Sequence, residues 1–125
     1  MKNKLSFVAI CSVFLFMACS KNNSLKNGEV QIRVENTTTD NFQNIVVGTT
    51  GFGSINAGAV TDYQRFEKVV IYPVADLVTA SGTVNAGYGY CGTPPLPYLE
   101  SGRYKLQIFY DTAIYSHYNA RYIKE

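Results

Sequence analysis

The sequence has few of the residues on which catalytic and metal-binding sites depend. It contains one histidine, His117, and no tryptophan among its 125 residues. A hydrolase needs a nucleophile, a base and an orienting group, and zinc or calcium sites need several ligands at characteristic spacings. The acidic residues are scattered without such spacing, and no glycine-rich phosphate loop separates a strand from a helix. The sequence therefore predicts a protein that is not an enzyme and that holds no metal and no cofactor.

Long apolar runs are also scarce. The run at residues 5–17 is shorter than the roughly 20 residues that a transmembrane helix needs. Lys2 and Lys4 lie ahead of it, and the small residue Ala18 and then Cys19 follow it. A basic start, a short apolar run, a small residue and a cysteine are typical of a bacterial lipoprotein export signal. We therefore expect cleavage before Cys19 and lipidation of its sulfur.

Other interpretations of this N-terminal segment stay open at the level of sequence. They are an uncleaved N-terminal anchor and a plain secreted protein. Cys11 is a poorer cleavage site, because the apolar stretch ahead of it would be only a few residues long. Acylation of both the sulfur and the new amine of Cys19 would give a stable anchor, since one acyl chain binds a bilayer only marginally.

The predicted signal divides the chain into three parts. Residues 1–18 form the signal peptide with its helix, residues 19–28 a lipidated polar tether, and residues 29–125 one domain of ordinary size. Lys2 and Lys4 account for the formal net charge of +2, so the mature chain is neutral. A neutral domain lacks the electrostatic footprint of a nucleic-acid binder. It also has no polybasic patch for anionic lipid, so we expect membrane contact through the acylated cysteine alone.

Cys91 would be the single free thiol of the mature chain. No internal disulfide can then form, although extracytoplasmic compartments favour disulfides, so the fold must depend on its core. The thiol is either buried and inert or able to pair with another chain. An enzyme that uses Cys91 with His117 is a remote alternative, since nothing in their spacing requires the two residues to meet.

The pattern of apolar residues after the tether is that of β-strands. Residues 29–35 alternate apolar and polar side chains, and residues 103–111 and 114–123 do the same. Residues 42–48, 52–55, 61–66 and 69–78 predict further strands, the last of them central and interrupted by Pro73. No stretch has helical periodicity over ten or more residues. The sequence therefore predicts an all-β fold, an antiparallel sandwich of about seven strands.

Three segments resemble motifs of a group of small lipoproteins from Bacteroidetes-type bacteria. They are VENT at residues 34–37, AGAVTDYQRF at residues 57–66 and PLPYLESGRY at residues 95–104, the last with three extra residues before its glycine. The resemblance covers most of the mature chain. It implies an immunoglobulin-like or transthyretin-like sandwich held at a membrane, and it assigns a role only to Cys19.

The residues that follow Cys19 bear on location. In such bacteria, surface-exposed lipoproteins often carry acidic residues directly after the lipidated cysteine, whereas this chain has SKNN at residues 20–23. We therefore expect the outer membrane, with the periplasmic face favoured over the cell surface.

One segment suggests recognition of a ligand. Residues 87–98 contain Tyr88, Tyr90 and Tyr98 together with three glycines and three prolines. Tyrosine offers a large apolar face and a hydroxyl at low entropic cost, and binding residues are often on loops. The alternative is that these tyrosines only cover the end of the sandwich. The sequence thus predicts a non-catalytic domain that binds an envelope protein or a glycan, or else an accessory subunit that docks on another envelope protein through a sheet edge.

Overall fold

The computed structural model describes residue 25 and residues 28–87, 92–93, 95–113 and 117–125. The predicted signal peptide, Cys19 and most of the tether lie outside these ranges. The described part of the chain forms eight strands: β1 (Val30–Asn36), β2 (Asn44–Val47), β3 (Thr50–Gly51), β4 (Gln64–Phe66), β5 (Val74–Thr79), β6 (Gly82–Gly87), β7 (Gly102–Asp111) and β8 (His117–Lys124). Within it, no helix has the length and apolar character needed to cross a membrane.

The strands form two four-stranded sheets, which confirms the predicted β-sandwich. One sheet has the order β4-β1-β7-β8 and the other β3-β2-β5-β6. All pairs are antiparallel except β1 and β7, which run parallel from Val30 opposite Gly102 to Asn36 opposite Ile108. In immunoglobulin constant domains the first strand lies at a sheet edge, whereas β1 is interior here. The strand order therefore differs from that of an immunoglobulin constant domain.

The core lies between the sheets because β1 and β7 each place alternate side chains on one face. On β1, Val30, Ile32 and Val34 are at most 1% exposed. Leu106 and Ile108 of β7 are fully buried beside them. The facing sheet contributes a matching apolar set: Ile45, Val47, Ala75, Leu77 and Ala86. The predicted alternation is therefore correct on both strands.

Three elements differ from the sequence-based prediction. The predicted strand at residues 69–78 begins only at Val74, because Pro73 directly precedes it and residues 71–72 bend. The predicted strand at residues 52–55 is replaced by β3 and by an isolated bridge between Phe42 and Ile55. Strand β6 was not predicted, because it is an edge strand in which four of six residues are exposed.

Because β1 and β7 run parallel, both strands begin at one end of the sandwich and run towards the other. We call the first the tether end and the second the distal end. At the tether end, Gly102 and Ser101 donate hydrogen bonds to the carbonyl of Glu29, at 3.2 and 3.0 Å, and Phe66 pairs with Val30. At the distal end, β1 stops at Asn36, β7 stops at Asp111 and β8 begins. The seven residues of β1 separate these ends by roughly 20 Å, given the rise of an extended strand.

Candidate functional site

The residues predicted to bind a ligand are only partly described. Tyr88, Tyr90 and Cys91 lie outside the described residues, so their roles stay predictions. Tyr98 lies at the tether end, where it forms an isolated bridge with Val70 and is 47% exposed.

A cleft opens instead at the distal end of the sandwich. It has a volume of about 530 Å³, which falls within the usual range for small-molecule sites. The turn after β1 forms one wall, and the ends of β7 and β8 form the other. The lining residues are Thr37, Thr38, Thr39, Asp40, Phe109, Tyr110 and Tyr118.

The wall after β1 is fixed by the buried side chain of Asn36. Its Oδ1 accepts hydrogen bonds from the backbone N and the Oγ1 of Thr38, at 3.0 and 2.6 Å, and its Nδ2 donates to the carbonyl of Asp40 at 2.7 Å. This is the Asx-turn geometry that asparagine favours after a strand. Thr37 Oγ1 also donates to the carbonyl of Ile108, at 2.7 Å, so the turn is attached to β7.

The opposite wall includes the rings of Tyr110 and Tyr118. Tyr118 packs edge-to-face on the buried Phe42, with centroids 5.3 Å apart at 80°, and on Tyr110, with centroids 5.5 Å apart at 74°. The Tyr118 hydroxyl donates to Asp40 Oδ2, which joins the two walls. Tyr110 is thus held in place although it is 48% exposed.

The sequence places Tyr110 on the same face as Tyr104, Leu106 and Ile108, which predicts an inward side chain. The face assignment is correct, but Tyr110 lies beyond the last buried layer and opens into the cleft. Its pairing with Tyr118 follows from a hairpin between the two predicted strands. A hairpin between these two strands would place Tyr110 beside Tyr118, and this pairing is the signal in the sequence that could have identified the cleft.

The bond between Tyr118 and Asp40 leads to a testable pKa. This hydrogen bond and then burial raise the pKa of Tyr118 to about 12. Since the folded-state pKa lies above the ordinary value of about 10, the pair stabilises the fold below pH 10 and loses this effect as the pH rises towards 12. We expect Asp40→Asn to lower the pKa of Tyr118, as seen by tyrosinate absorbance in an alkaline titration.

Tyr122 serves as the internal control in that titration. Burial alone raises its pKa to about 12, so Asp40→Asn should leave its ionisation unchanged. Tyr63 also has a raised pKa, so Tyr118→Phe is needed to identify the step that belongs to Tyr118. If both phenols still ionise near the same high pH in Asp40→Asn, the bond between Tyr118 and Asp40 is not what raises the pKa of Tyr118.

The outer face of the β4-β1-β7-β8 sheet is polar, and several of its charges are paired. Glu125 accepts hydrogen bonds from Arg33, at 2.6 and 3.1 Å, and from the Tyr63 hydroxyl. Burial alone would raise the pKa of Glu125, but these hydrogen bonds outweigh it and lower the pKa. The ionised carboxylate therefore stabilises the fold at neutral pH, and this contribution is lost as the pH falls through the lowered pKa. Lys105 pairs with Glu35 at 2.7 Å, so this face is a structural network.

Strand β8 forms one open sheet edge, the kind of surface that the accessory-subunit hypothesis requires. The N of Glu125 donates to the carbonyl of Arg103 at 2.9 Å, so the even-numbered residues of β8 direct their backbone groups to the open edge. One of these donors, the N–H of Ala120, bonds to the Oδ1 of its neighbour Asn119 at 2.8 Å. The side chain of Asn119 therefore satisfies one of the backbone donors of this edge.

The remaining catalytic alternative involves His117. This residue begins β8 at the distal end, opposite Asp111, whereas the described chain on either side of Cys91 lies at the tether end, at Gly87 and Tyr98. Across the residues that the structure describes, no three histidine, cysteine or acidic side chains are grouped as a metal site would need.

Comparisons of this chain with protein-family models, with curated proteins and with solved structures found no match.

Proposed function

We propose that the chain is a lipid-anchored outer-membrane protein whose β-sandwich binds a neutral glycan in the distal cleft. The anchor is the acylated Cys19, and the domain is not catalytic. The observation that carries the proposal is the exposure of Tyr110, an aromatic side chain that is 48% exposed and yet packs edge-to-face on Tyr118.

A fixed, exposed tyrosine is suited to a sugar. The C–H groups on one face of a pyranose ring pack on an aromatic ring, while its hydroxyls bond to polar groups beside that ring. Asp40 supplies such a group, because a carboxylate has more acceptor positions than the one that Tyr118 uses. The rigid placement of Tyr110 also lowers the entropy lost on binding.

The charge of the cleft favours a neutral ligand. Asp40 is the single charged side chain among the described residues that line it. An anionic glycan would meet this carboxylate without a basic partner in the lining, and like charges at close range repel.

The two ends of the sandwich support this arrangement. The chain enters at Glu29 and Val30, so an anchor at Cys19 would hold the tether end near the bilayer. The nine residues of the polar tether, 20–28, would reach roughly 15 Å as a flexible coil. The cleft would then face away from the membrane, open to ligands in the envelope.

The proposal predicts that Tyr110→Ala abolishes binding. We expect the parent protein to bind neutral oligosaccharides of glucose or N-acetylglucosamine on a glycan array, and Tyr110→Ala to lose that signal, because the platform for the sugar ring is removed. Tyr98→Ala is the matched control, since Tyr98 is equally exposed at the other end. Loss in Tyr98→Ala alone, or binding of anionic glycans only, would overturn the assignment of the cleft, and an array with no signal would overturn glycan binding.

Docking of another protein on the edge of β8 is the second candidate. It is favoured by the eight-residue length of this edge strand, because exposed strand edges readily accept further strands. The bond from Ala120 to Asn119 counts against it, since it occupies one of the donors that an added strand would need.

A further inference from the structure

We propose that the tether end of the sandwich rests on the bilayer surface through an aromatic ridge formed by residues 68–72 and 97–98. This inference rests on the lipid anchor of the proposed function and goes beyond it, since the sequence predicts membrane contact through the acylated cysteine alone.

The ridge carries half of the exposed large hydrophobic side chains of the described structure. Six large hydrophobic side chains among the described residues are more than a third exposed: Val60, Ile71, Tyr72, Val84, Tyr98 and Tyr110. Three of them, Ile71, Tyr72 and Tyr98, belong to the ridge. Clustered exposed apolar side chains mark contact surfaces more than isolated ones do.

Backbone hydrogen bonds make the ridge a defined structure. The N of Ile71 donates to the carbonyl of Pro97 at 3.1 Å, and the N of Leu99 donates to the carbonyl of Val69 at 2.7 Å. Val70 and Tyr98 form a β-bridge between these two bonds. The two segments are therefore paired, and their exposed side chains keep a fixed relation to one another.

The ridge lies where the chain arrives from the predicted anchor. Phe66, two residues before Lys68, pairs with Val30, and Gly102, shortly after Tyr98, pairs with Val30 from the other side. The tether that would lead to the lipid at Cys19 joins the domain at Glu29. A bilayer reached by this tether would meet the ridge first.

The composition of the ridge fits a membrane interface. Tyrosine is enriched at membrane surfaces, where its ring lies among the headgroups and its hydroxyl stays in water. The Lys68 Nζ lies 5.4 Å from the centroid of the Tyr98 ring, and a lysine stem can lie along an apolar surface while its charge reaches the phosphates.

Two pairs of opposite charges lie near this end of the domain. Arg65 pairs with Glu29 at 3.2 Å, and Lys124 pairs with Glu100 at 3.6 Å. Contact should therefore depend on the apolar side chains and little on anionic lipid. This distinguishes the ridge from a polybasic membrane site, whose binding follows the charge of the leaflet.

The absence of tryptophan from the chain permits a direct test with single reporters. The full lipidated protein would be made as Tyr72→Trp, Tyr98→Trp and Tyr110→Trp, and each would be reconstituted into phosphatidylcholine vesicles whose acyl chains carry bromine, a contact quencher. We expect the bromine to quench the emission of Tyr72→Trp and Tyr98→Trp. Tyr110→Trp, which reports on the distal end, should keep its emission. Ile71→Asp added to Tyr98→Trp should restore emission, because a charge on the ridge disfavours contact.

The outcomes separate this inference from the anchor. Flotation of the protein with the vesicles without quenching at either ridge position would overturn the ridge contact and leave the anchor standing. Equal quenching at all three positions would show that the domain has no preferred end and would also overturn it. Failure to float would overturn the anchor itself and the ridge contact that depends on it. Circular dichroism of each variant establishes that it is folded.

Discussion

Gly87→Ala is expected to destabilise the domain by at least about 3 kcal/mol, at the upper end of single substitutions. Gly87 has a φ of +84°, and a Cβ there would lie 2.0 Å from the carbonyl oxygen of Pro73 and 3.0 Å from its carbonyl carbon. These are backbone atoms, so no side chain can rotate away. Relief would require separating β5 from β6 where Val74 pairs with Gly87.

Gly58→Ala is the matched control for that substitution. Gly58 has a similar φ of +77°, but nothing lies within 4 Å of its Cβ position. The cost there should be only the conformational one, about 1–2 kcal/mol. Urea denaturation of both variants measures the difference, and equal losses of unfolding free energy would contradict the close approach of β6 to Pro73.

Asn36→Ala should cost about 3 kcal/mol of unfolding free energy and also abolish ligand binding. The substitution leaves the N–H of Thr38 without its partner and removes the short bonds of Asn36 to the Thr38 hydroxyl and the Asp40 carbonyl, which keep their mutual contact at 3.4 Å. A buried group without its bond costs about 1–3 kcal/mol. The turn after β1 would then lose its shape, and Asp40 would move relative to Tyr118. The same variant thus links the stability of the turn to the geometry of the cleft.

Asn41→Ala provides the comparison for this second prediction. The Oδ1 of Asn41 accepts one hydrogen bond, from the N of Ala57 at 2.8 Å, at an exposed site. Its loss should cost about 0.5–1.5 kcal/mol and leave binding intact. Denaturation and glycan binding would be measured on both variants. If Asn36→Ala keeps full binding, the turn does not shape the site.

The parts of the fold that could be predicted are those in which one face of a strand is buried. On β1 and β7 the alternation of apolar and polar residues follows directly from the two faces of the sheet. Strand β6 lacks this signal because Val84 is exposed and Ala86 alone is buried. The parallel pairing of Val30 with Gly102 could not be predicted, because no local pattern specifies contacts between residues so distant in sequence.

The candidate site could be predicted only in part, for the same reason. Tyr110 and Tyr118 lie on predicted strands, and their residue types alone do not show which tyrosine passes the end of the core. Asp40 and Tyr118 are 78 residues apart, so only the order of the strands in the fold brings them into contact. The segment at residues 87–98 was identified from its composition, and its one described tyrosine, Tyr98, lies at the tether end.

The claim that the distal cleft holds a sugar is tested most directly by mapping backbone amide chemical shifts during titration with chitotetraose and maltotetraose. Binding in the cleft should shift only the amides of residues 37–40, Tyr110 and Tyr118, and these shifts should be lost in Tyr110→Ala. Shifts confined to the tether end around Tyr98, or no shifts with either sugar at concentrations approaching saturation of a weak site, would contradict it.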